Sequence, residues 1–176
     1  MEKQALILAG IYNSGPDHWQ SIWQRESPAF HKLEHSEWDE PVLAVWLREL
    51  EDEITRLGPG VTLVAHSLAC LLVAHWAKTT RHKISGALLV SVPNPEGPGF
   101  PADAKSFGGQ PLEPLPFPSI VVSSTNDPYG SSGFMRQCAE SWGSRFVSVG
   151  ALGHINEDSH LGVWEPGRAL LRELMA

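Results

Sequence analysis

The chain is poor in cysteine and in basic residues, and it contains no long hydrophobic run. Its 176 residues include two cysteines, and 13 Lys and Arg are outweighed by 20 Asp and Glu, for a formal net charge of −7. This acidic balance argues against a nucleic-acid-binding surface, which needs clustered Lys and Arg. No apolar stretch approaches the ~18 residues of a membrane span, so no membrane partner is predicted.

Cys70 and Cys138 lie far apart in the sequence, and each falls inside a predicted helix. A disulfide between them stays open, but free buried thiols in a reducing cytoplasm fit them better, and we expect a cytoplasmic protein. The apolar segment 5–9 is too short for the core of a signal peptide and predicts a strand. The length suits one compact domain, residues 1–176, with a full hydrophobic core.

Sequence motifs for metal ions and nucleotides are missing as well. No H-E-x-x-H, C-x-x-C, P-loop or G-x-G-x-x-G pattern occurs. His31 and His35 lie at the two ends of a predicted strand, and four strand residues span roughly 13 Å at ~3.3 Å each. These two side chains therefore cannot share an ion without a bulge. We predict neither a metal ion nor a nucleotide cofactor.

What the chain does contain is a regular alternation of short apolar runs with longer amphipathic ones. The runs predict six strands, at 6–9, about 32–35, 61–65, 84–90, 119–124 and 145–149. The amphipathic segments predict five helices, at 17–25 with Asp17 as N-cap, 39–57 with Pro41 in its first turn, 67–78, 133–142 and 165–175. This order predicts an α/β fold, a three-layer α/β/α sandwich around about six parallel strands.

Segment 91–118 interrupts the alternation and holds eight of the 14 prolines. Two interpretations remain open for it. It is either an irregular surface connection or, since long loops inside compact domains often cover active sites, part of the substrate pocket. Phe100 and Phe107 are its candidate pocket residues.

Ser67 stands where a buried strand turns into a buried helix. Such a turn lifts a serine out of the sheet and directs the N-terminus of the next helix at whatever the serine attacks. The usual elbow is G-x-S-x-G, and here Ala65 and Ala69 replace both glycines. Taken alone, Ser67 is better explained as a helix N-cap, so its interpretation depends on what the other strand ends carry.

Asp127 and His154 follow two later strands, and the order Ser, Asp, His is that of α/β-hydrolases. Parallel sheets collect reactive groups at the carboxyl ends of their strands. A histidine can accept the serine proton, and a carboxylate can fix its tautomer and stabilise the imidazolium. The predicted triad is therefore Ser67, His154 and Asp127. Asp158, His160 and His66 are nearby rivals, but Asp158 follows His154 by only four residues, whereas this layout draws its acid from an earlier strand.

The oxyanion hole is predicted to use the backbone N–H groups of Leu68, the residue after the nucleophile, and of Ile11 in the loop after the first strand. Tyr12 is the fallback for Ile11 and a candidate pocket residue.

Several separated motifs make the chain similar to one family. They are Asn13-Ser-Gly-Pro-Asp-His-Trp19, Glu37-Trp-Asp-Glu-Pro41, Val64-Ala-His-Ser-Leu-Ala-Cys70, Pro114-Leu-Pro-Phe-Pro118, Asn126-Asp-Pro-Tyr129, Trp142-Gly143 and Gly153-His-Ile-Asn156. Over nearly all its length the chain resembles the small serine hydrolases of the retinoblastoma-binding-protein-9/YdeN family, a compact branch of the α/β-hydrolase superfamily. The resemblance implies Ser67 as nucleophile, Asp127 as acid and His154 as base.

The sequence departs from that family at two positions. Ala69 and His160 stand where glycine is more usual, which puts in doubt the angle of the elbow and whether an extra imidazole reaches the rim of the site. His18, Trp19 and Trp38 belong to the resemblance too. They either line the pocket and buttress the oxyanion loop or, as we favour, dock aromatic rings onto the sheet.

The sequence thus predicts a serine hydrolase that acts on carboxylic esters through an acyl-enzyme. Its substrate is expected to be a small ester or a peptide-like molecule. Two alternatives stay open: a peptidase or amidase, for which Asp17, Glu96 or another acid would have to meet a substrate amine, and a protein-binding regulator with an idle triad. No sequence feature points to a protein partner. If His154 is the base, activity rises with pH across the range in which imidazoles titrate.

Overall fold

The computed structural model describes residues 3–176, and strands alternate with α-helices except between the fourth and fifth strands, where segment 91–118 connects them. The strands are β1 (Ala5–Leu8), β2 (Phe30–Lys32), β3 (Thr62–His66), β4 (Gly86–Val90), β5 (Ser119–Ser123) and β6 (Arg145–Ser148). The helices are α1 (Trp19–Glu26), α2 (Leu43–Leu57), α3 (Leu68–Thr79), α4 (Ser132–Trp142) and α5 (Glu165–Met175).

The six strands form one parallel sheet in the order β2-β1-β3-β4-β5-β6. Every residue of β1, β3, β4 and β5 is buried, as expected for apolar strands that are covered on both faces. The chain leaves β1 toward β2 on one side and returns to β3 on the other, so the strand order reverses between β1 and β3. The predicted α/β fold with six parallel strands is confirmed.

Helices cover both faces of the sheet. Buried residues of α2, α3 and α4, such as Trp46, Leu71 and Met135, form the core on one face. Trp19 and Trp23 of α1 pack with Leu171 of α5 on the other face. α3 is apolar nearly all round because it is enclosed by the sheet, by α2 and by segment 91–118.

Segment 91–118 is partly ordered by a 3₁₀ helix, Ala102–Phe107. Phe107 is fully buried in the core, and its carbonyl oxygen lies 3.1 Å from His75 Nε2 on α3. The indole of Trp142 donates to the carbonyl of Pro111 at 2.8 Å. The segment is therefore fastened to the core along much of its length.

Several predicted boundaries were wrong, among them those of β2, α2 and α1, and β4 begins at Gly86 and not at 84. β2 covers 30–32 and not 32–35, so His35 lies beyond the strand. α2 begins at Leu43 and not at 39, because the Glu37 carboxylate accepts the N–H groups of Asp39 and Glu40 and forms a turn there. The N-cap of α1 is His18 and not Asp17.

The two cysteines are free and buried, so the disulfide that the sequence left open is absent. Burial raises the pKa of both thiols, to about 12 for Cys138. None of the helices within 3–176 is long and apolar enough to cross a membrane.

Candidate active site

Ser67 occupies a strained turn between β3 and α3. Its backbone angles are φ 55° and ψ −124°, a conformation that side-chain-bearing residues rarely adopt. The Ser67 N–H donates to the carbonyl of Val90 on β4 at 2.9 Å, which holds the turn against the neighbouring strand. Ala65 and Ala69 are fully buried on either side of it. Small residues let the strand and the helix approach, and alanine meets that need here.

The structure brings together the three side chains that the sequence selected. Ser67 Oγ lies 2.8 Å from His154 Nε2, and His154 Nδ1 lies 2.9 and 3.0 Å from the two carboxylate oxygens of Asp127. A carboxylate accepts, so the proton of the neutral imidazole sits on Nδ1 and Nε2 is free to accept from the hydroxyl. The N–H of Tyr129 also donates to Asp127 and fixes its orientation. A serine, a base and an orienting acid within hydrogen-bond reach of one another are the arrangement that nucleophilic catalysis by serine requires.

Side chains outside the triad hold the His154 loop in place. His66 Nε2 donates to the carbonyl of His154 at 2.9 Å, and the indole of Trp19 donates to the carbonyl of Ile155 at 2.8 Å. Two residues of the loop that carries Asp127 also contribute. Asn126 Oδ1 accepts the N–H of Gly153, and Ser124 Oγ accepts the N–H of Leu152. The sequence analysis missed these roles of Ser124 and Asn126, although Asn126 belongs to a quoted motif.

The loop after β1 lies directly against the elbow. A Cβ at Gly10 would stand 3.2 Å from Ser67 Cβ and from the carbonyl oxygen of His66, so glycine permits this approach. The backbone N–H groups of Ile11 and Leu68 have no hydrogen-bond partner among residues 3–176. Tyr12 N–H donates to the carbonyl of Trp38 at 3.1 Å and is therefore committed elsewhere. That bond favours Ile11 over Tyr12 as the second oxyanion donor.

A buried glutamine fixes the position of the same loop. Gln20 Nε2 donates at 3.0 Å to the carbonyls of Leu8 and Val64, at the reversal between β1 and β3. Its Oε1 accepts from Ser14 Oγ at 3.1 Å. The Glu157 carboxylate accepts the N–H of Asp17, and it lies so close to Gly15 that a side chain at that position would require the glutamate to move.

A cavity of about 270 Å³ opens beside Ser67. Tyr12, His18 and Phe100 line it, together with Ser67 and His154. Phe107 does not line it, so its prediction as a pocket residue was wrong. Trp19 does not line it either, in agreement with the favoured interpretation that its ring docks onto the sheet, whereas His18, for which docking was also favoured, does line it. Trp19 is buried beneath the site, where its indole supports the His154 loop, and Phe107 packs against Trp46 in the core. An adjoining cavity of about 460 Å³ lies on the other side of Tyr129 and His154.

The two histidines behind the triad are neutral near pH 7. Burial, with an electrostatic interaction with His154 acting in the same direction, lowers the pKa of His18 to about 4. Burial likewise lowers the pKa of His66 well below its usual value, with His18 and His154 acting in the same direction. No Lys or Arg lines the cavity, whereas the carboxylates of Glu157 and Asp158 do. The cavity is therefore electronegative.

The rival residues lie apart from the hydrogen-bond chain. Asp158 lines the cavity, but the carboxylate that meets His154 is that of Asp127. His160 is exposed, with φ 50°, and it lines neither cavity. The left-handed backbone at that position suits a glycine. Among residues 3–176, no group of three or more His, Cys, Asp or Glu side chains is placed to hold a metal ion.

A parallel α/β sheet with a serine elbow after β3 and a histidine after the last strand defines the α/β-hydrolase class. The family model described as "Serine hydrolase" matches residues 5–173, and the chain belongs to this family of enzymes. The predicted family resemblance is confirmed.

Solved structures agree with that assignment. A Pectobacterium atrosepticum protein described as a YdeN-like hydrolase has a TM-score of 0.87 at 28% identity, over 98% of this chain and 91% of its own. The B. subtilis ydeN gene product has 0.82 at 20% identity, over 98% of both chains. A thermophilic esterase from Thermogutta terrifontis has 0.72 at 15% identity, over 100% of this chain and 92% of its own, and at these identities the last two show the fold alone. No protein with a curated description matches the sequence.

Proposed function

We propose that this serine hydrolase cleaves carboxylic esters through the triad Ser67–His154–Asp127. The observation that supports it most is the unbroken chain from Ser67 Oγ through the imidazole to the Asp127 carboxylate, with no contact longer than 3.0 Å. Esters fit a cavity that is small, partly apolar and lined by no Lys or Arg.

The proposed reaction has two halves. Ser67 Oγ attacks the ester carbonyl while its proton passes to His154 Nε2, and the N–H groups of Leu68 and Ile11 stabilise the oxyanion. The tetrahedral intermediate expels the alcohol, which takes the proton from His154. Water then attacks the acyl-enzyme with His154 as base, and the carboxylic acid leaves as Ser67 regains its proton.

Fluorophosphonate labelling combined with ester turnover tests this proposal. Wild type should take up one label and hydrolyse 4-nitrophenyl butyrate, and Ser67→Ala should do neither, with kcat lower by about 10⁵- to 10⁶-fold. His160→Ala is the matched control, because this histidine is exposed and lies outside the cavity. Undiminished labelling of Ser67→Ala would sink the proposal.

Amide or peptide cleavage is the second candidate, favoured by the Glu157 and Asp158 carboxylates in the cavity wall. An aminoacyl coumarin amide would then be cleaved, and its N-acetylated form, which lacks the charge, would be cleaved far more slowly. A regulator with an idle triad is less well supported, since the 2.8 Å separation of Ser67 Oγ and His154 Nε2 is a working hydrogen bond.

A further inference from the structure

His18 is a cavity histidine for which the proposed mechanism has no task. It precedes α1, is 4% exposed, and its ring stands edge-on to that of His66 with centroids 4.8 Å apart. The ring of His66 lies in turn 4.9 Å from that of His154. His18 is therefore one ring removed from the imidazole that meets Ser67.

One hydrogen bond determines the tautomer of His18. Its Nδ1 accepts the backbone N–H of Gln20 at 3.1 Å, so Nδ1 carries no proton. A neutral imidazole with a bare Nδ1 carries its proton on Nε2, which is then a donor only. Since its pKa is lowered to about 4, the ring keeps this form across the neutral range.

The donor at Nε2 is unused. It is buried and has no hydrogen-bond partner among residues 3–176, although buried polar groups in native proteins are nearly always paired. The side chain that carries it is part of the lining of the cavity beside Ser67. An acceptor atom of a bound substrate would complete it.

The residues that line the cavity indicate what kind of acceptor fits. Phe100 and Pro101 make part of the lining apolar, and His18, His66 and Glu157 belong to the same lining. The Glu157 carboxylate, which also accepts the N–H of Asp17, opposes a negatively charged acceptor, so an uncharged oxygen is favoured.

We propose that His18 is a specificity-determining residue, whose Nε2–H donates a hydrogen bond to an uncharged oxygen of the substrate, such as an ether, hydroxyl or carbonyl oxygen. The inference rests on the proposed ester hydrolysis and adds a substrate class: esters with a second, neutral oxygen beside the reacting carboxyl group.

His18→Asn separates the two functions of the ring. Asparagine is a preferred N-cap, and its Oδ1 reaches the position of Nδ1, so the bond from Gln20 is kept. Its side chain ends before the position of Nε2, so the donor is lost. His160→Asn is the matched control, at an exposed histidine outside the cavity.

Two pairs of isosteric esters measure the loss of this hydrogen bond. The two esters of a pair differ only in that an oxygen atom replaces one CH₂ group. The acyl pair is 4-nitrophenyl methoxyacetate against 4-nitrophenyl butyrate, and the alcohol pair is 2-methoxyethyl butyrate against butyl butyrate. The measured quantity is the ratio of kcat/KM, oxygen ester over methylene ester. This ratio cancels intrinsic reactivity when variants are compared, and it does not depend on the fraction of folded enzyme.

His18→Asn should lower this ratio by about 2- to 10-fold in one pair, the effect of one hydrogen bond. The affected pair tells whether the acyl or the alcohol group lies against His18. An unchanged ratio in both pairs, or an equal fall in His160→Asn, would overturn the proposal.

NMR of Ser67→Ala separates failure of this inference from failure of ester hydrolysis. The ¹⁵N spectrum should show His18 protonated at Nε2, and in one of the two pairs the oxygen ester should shift that resonance more than its methylene partner does. If wild type hydrolyses none of the four esters while the shift is seen, the proposed function fails and the binding role of His18 stands. Without a differential shift in either pair, the binding role fails.

Discussion

Two clusters of histidine and aromatic rings lie on opposite faces of the sheet. The site cluster comprises His18, Trp19, His66 and His154, and the distal cluster comprises His35, Trp38, Trp46 and Phe107. Each contains a buried histidine whose Nε2 lacks a hydrogen-bond partner within residues 3–176. The residue types are the same, but the surroundings differ.

In the distal cluster the histidine is enclosed. His35 stacks on Trp46 with centroids 3.6 Å apart, its Nδ1 lies 2.6 Å from the Glu49 carboxylate, and neither cavity reaches it. In the site cluster, His18 Nδ1 accepts a backbone N–H, and the side chain is part of the cavity lining. An unpartnered ring nitrogen therefore does not by itself mark a binding residue, and the place of His18 in the cavity lining is what distinguishes it from His35.

The largest expected effect lies at the acid that orients the site cluster. Asp127→Asn should lower kcat for 4-nitrophenyl butyrate by about 10⁴-fold, because an amide can donate to Nδ1 and stabilise the wrong imidazole tautomer. The urea midpoint should move little. Asp158→Asn, at a carboxylate that lines the same cavity, is the control, and a larger loss there would assign the acid to Asp158.

Next in size is a purely structural loss in the distal cluster. Trp46→Ala removes a fully buried ring that stacks on His35 and packs against Phe107, and it should cost about 3–5 kcal/mol of unfolding free energy in urea. Activity per folded molecule, counted by fluorophosphonate label, should stay near wild type. A loss of turnover per labelled serine would show that the distal cluster affects the site on the other face of the sheet. It would contradict the contrast between the two clusters.

Acid should destabilise the protein through the site cluster. The pKa of His18 falls from 6.5 to about 4 on folding, so between these values the unfolded chain binds more protons than the folded one. The contribution of neutral His18 to the free energy of unfolding is therefore fully present above about pH 6.5. As the pH falls toward 4, the free energy of unfolding decreases by up to about 3 kcal/mol. His66, with a pKa also lowered by burial, acts in the same direction.

Urea unfolding between pH 7 and 4 measures this loss. His18→Asn should flatten the profile relative to wild type and to His160→Asn. A profile as steep as wild type in His18→Asn would assign the acid sensitivity to other groups, among them the distal His35, whose pKa burial also lowers against the opposing effect of Glu49.

The smallest effect is expected at Glu49. Its carboxylate accepts from Ser36 N and Oγ and meets His35 Nδ1, so Glu49→Ala should cost about 1–2 kcal/mol and leave kcat/KM unchanged. A change in kcat/KM per labelled enzyme would show that the distal cluster reaches the site.

The sheet was predicted well because strands that are buried on both faces require apolar runs, and these runs are visible in the sequence. Boundaries were less predictable where a side chain competes with the backbone. The turn at Glu37 delays α2, and α1 is capped by His18, whose Nδ1 accepts the N–H of Gln20, and not by Asp17. The N–H of Asp17 donates to Glu157, a residue 140 positions away. Local patterns cannot contain such a long-range bond.

The side chains of the proposed triad were easier to find than the residues that line the cavity. Ser67, Asp127 and His154 follow strands, and the sheet brings them together whatever the loops do. Which of two phenylalanines in segment 91–118 faces the cavity depends on the 3₁₀ helix that turns Phe107 into the core and leaves Phe100 at the site. The composition of the segment does not show which way each ring points.

The positive φ of Ser67 sets stability and activity against each other at one position. At φ 55° and ψ −124° a side chain costs about 1–3 kcal/mol that glycine largely avoids. A library screened for thermal tolerance alone would therefore accumulate Ser67→Gly, a sturdier protein without a nucleophile. Selection of variants for thermal stability should therefore be combined with selection for turnover, so that Ser67 is retained.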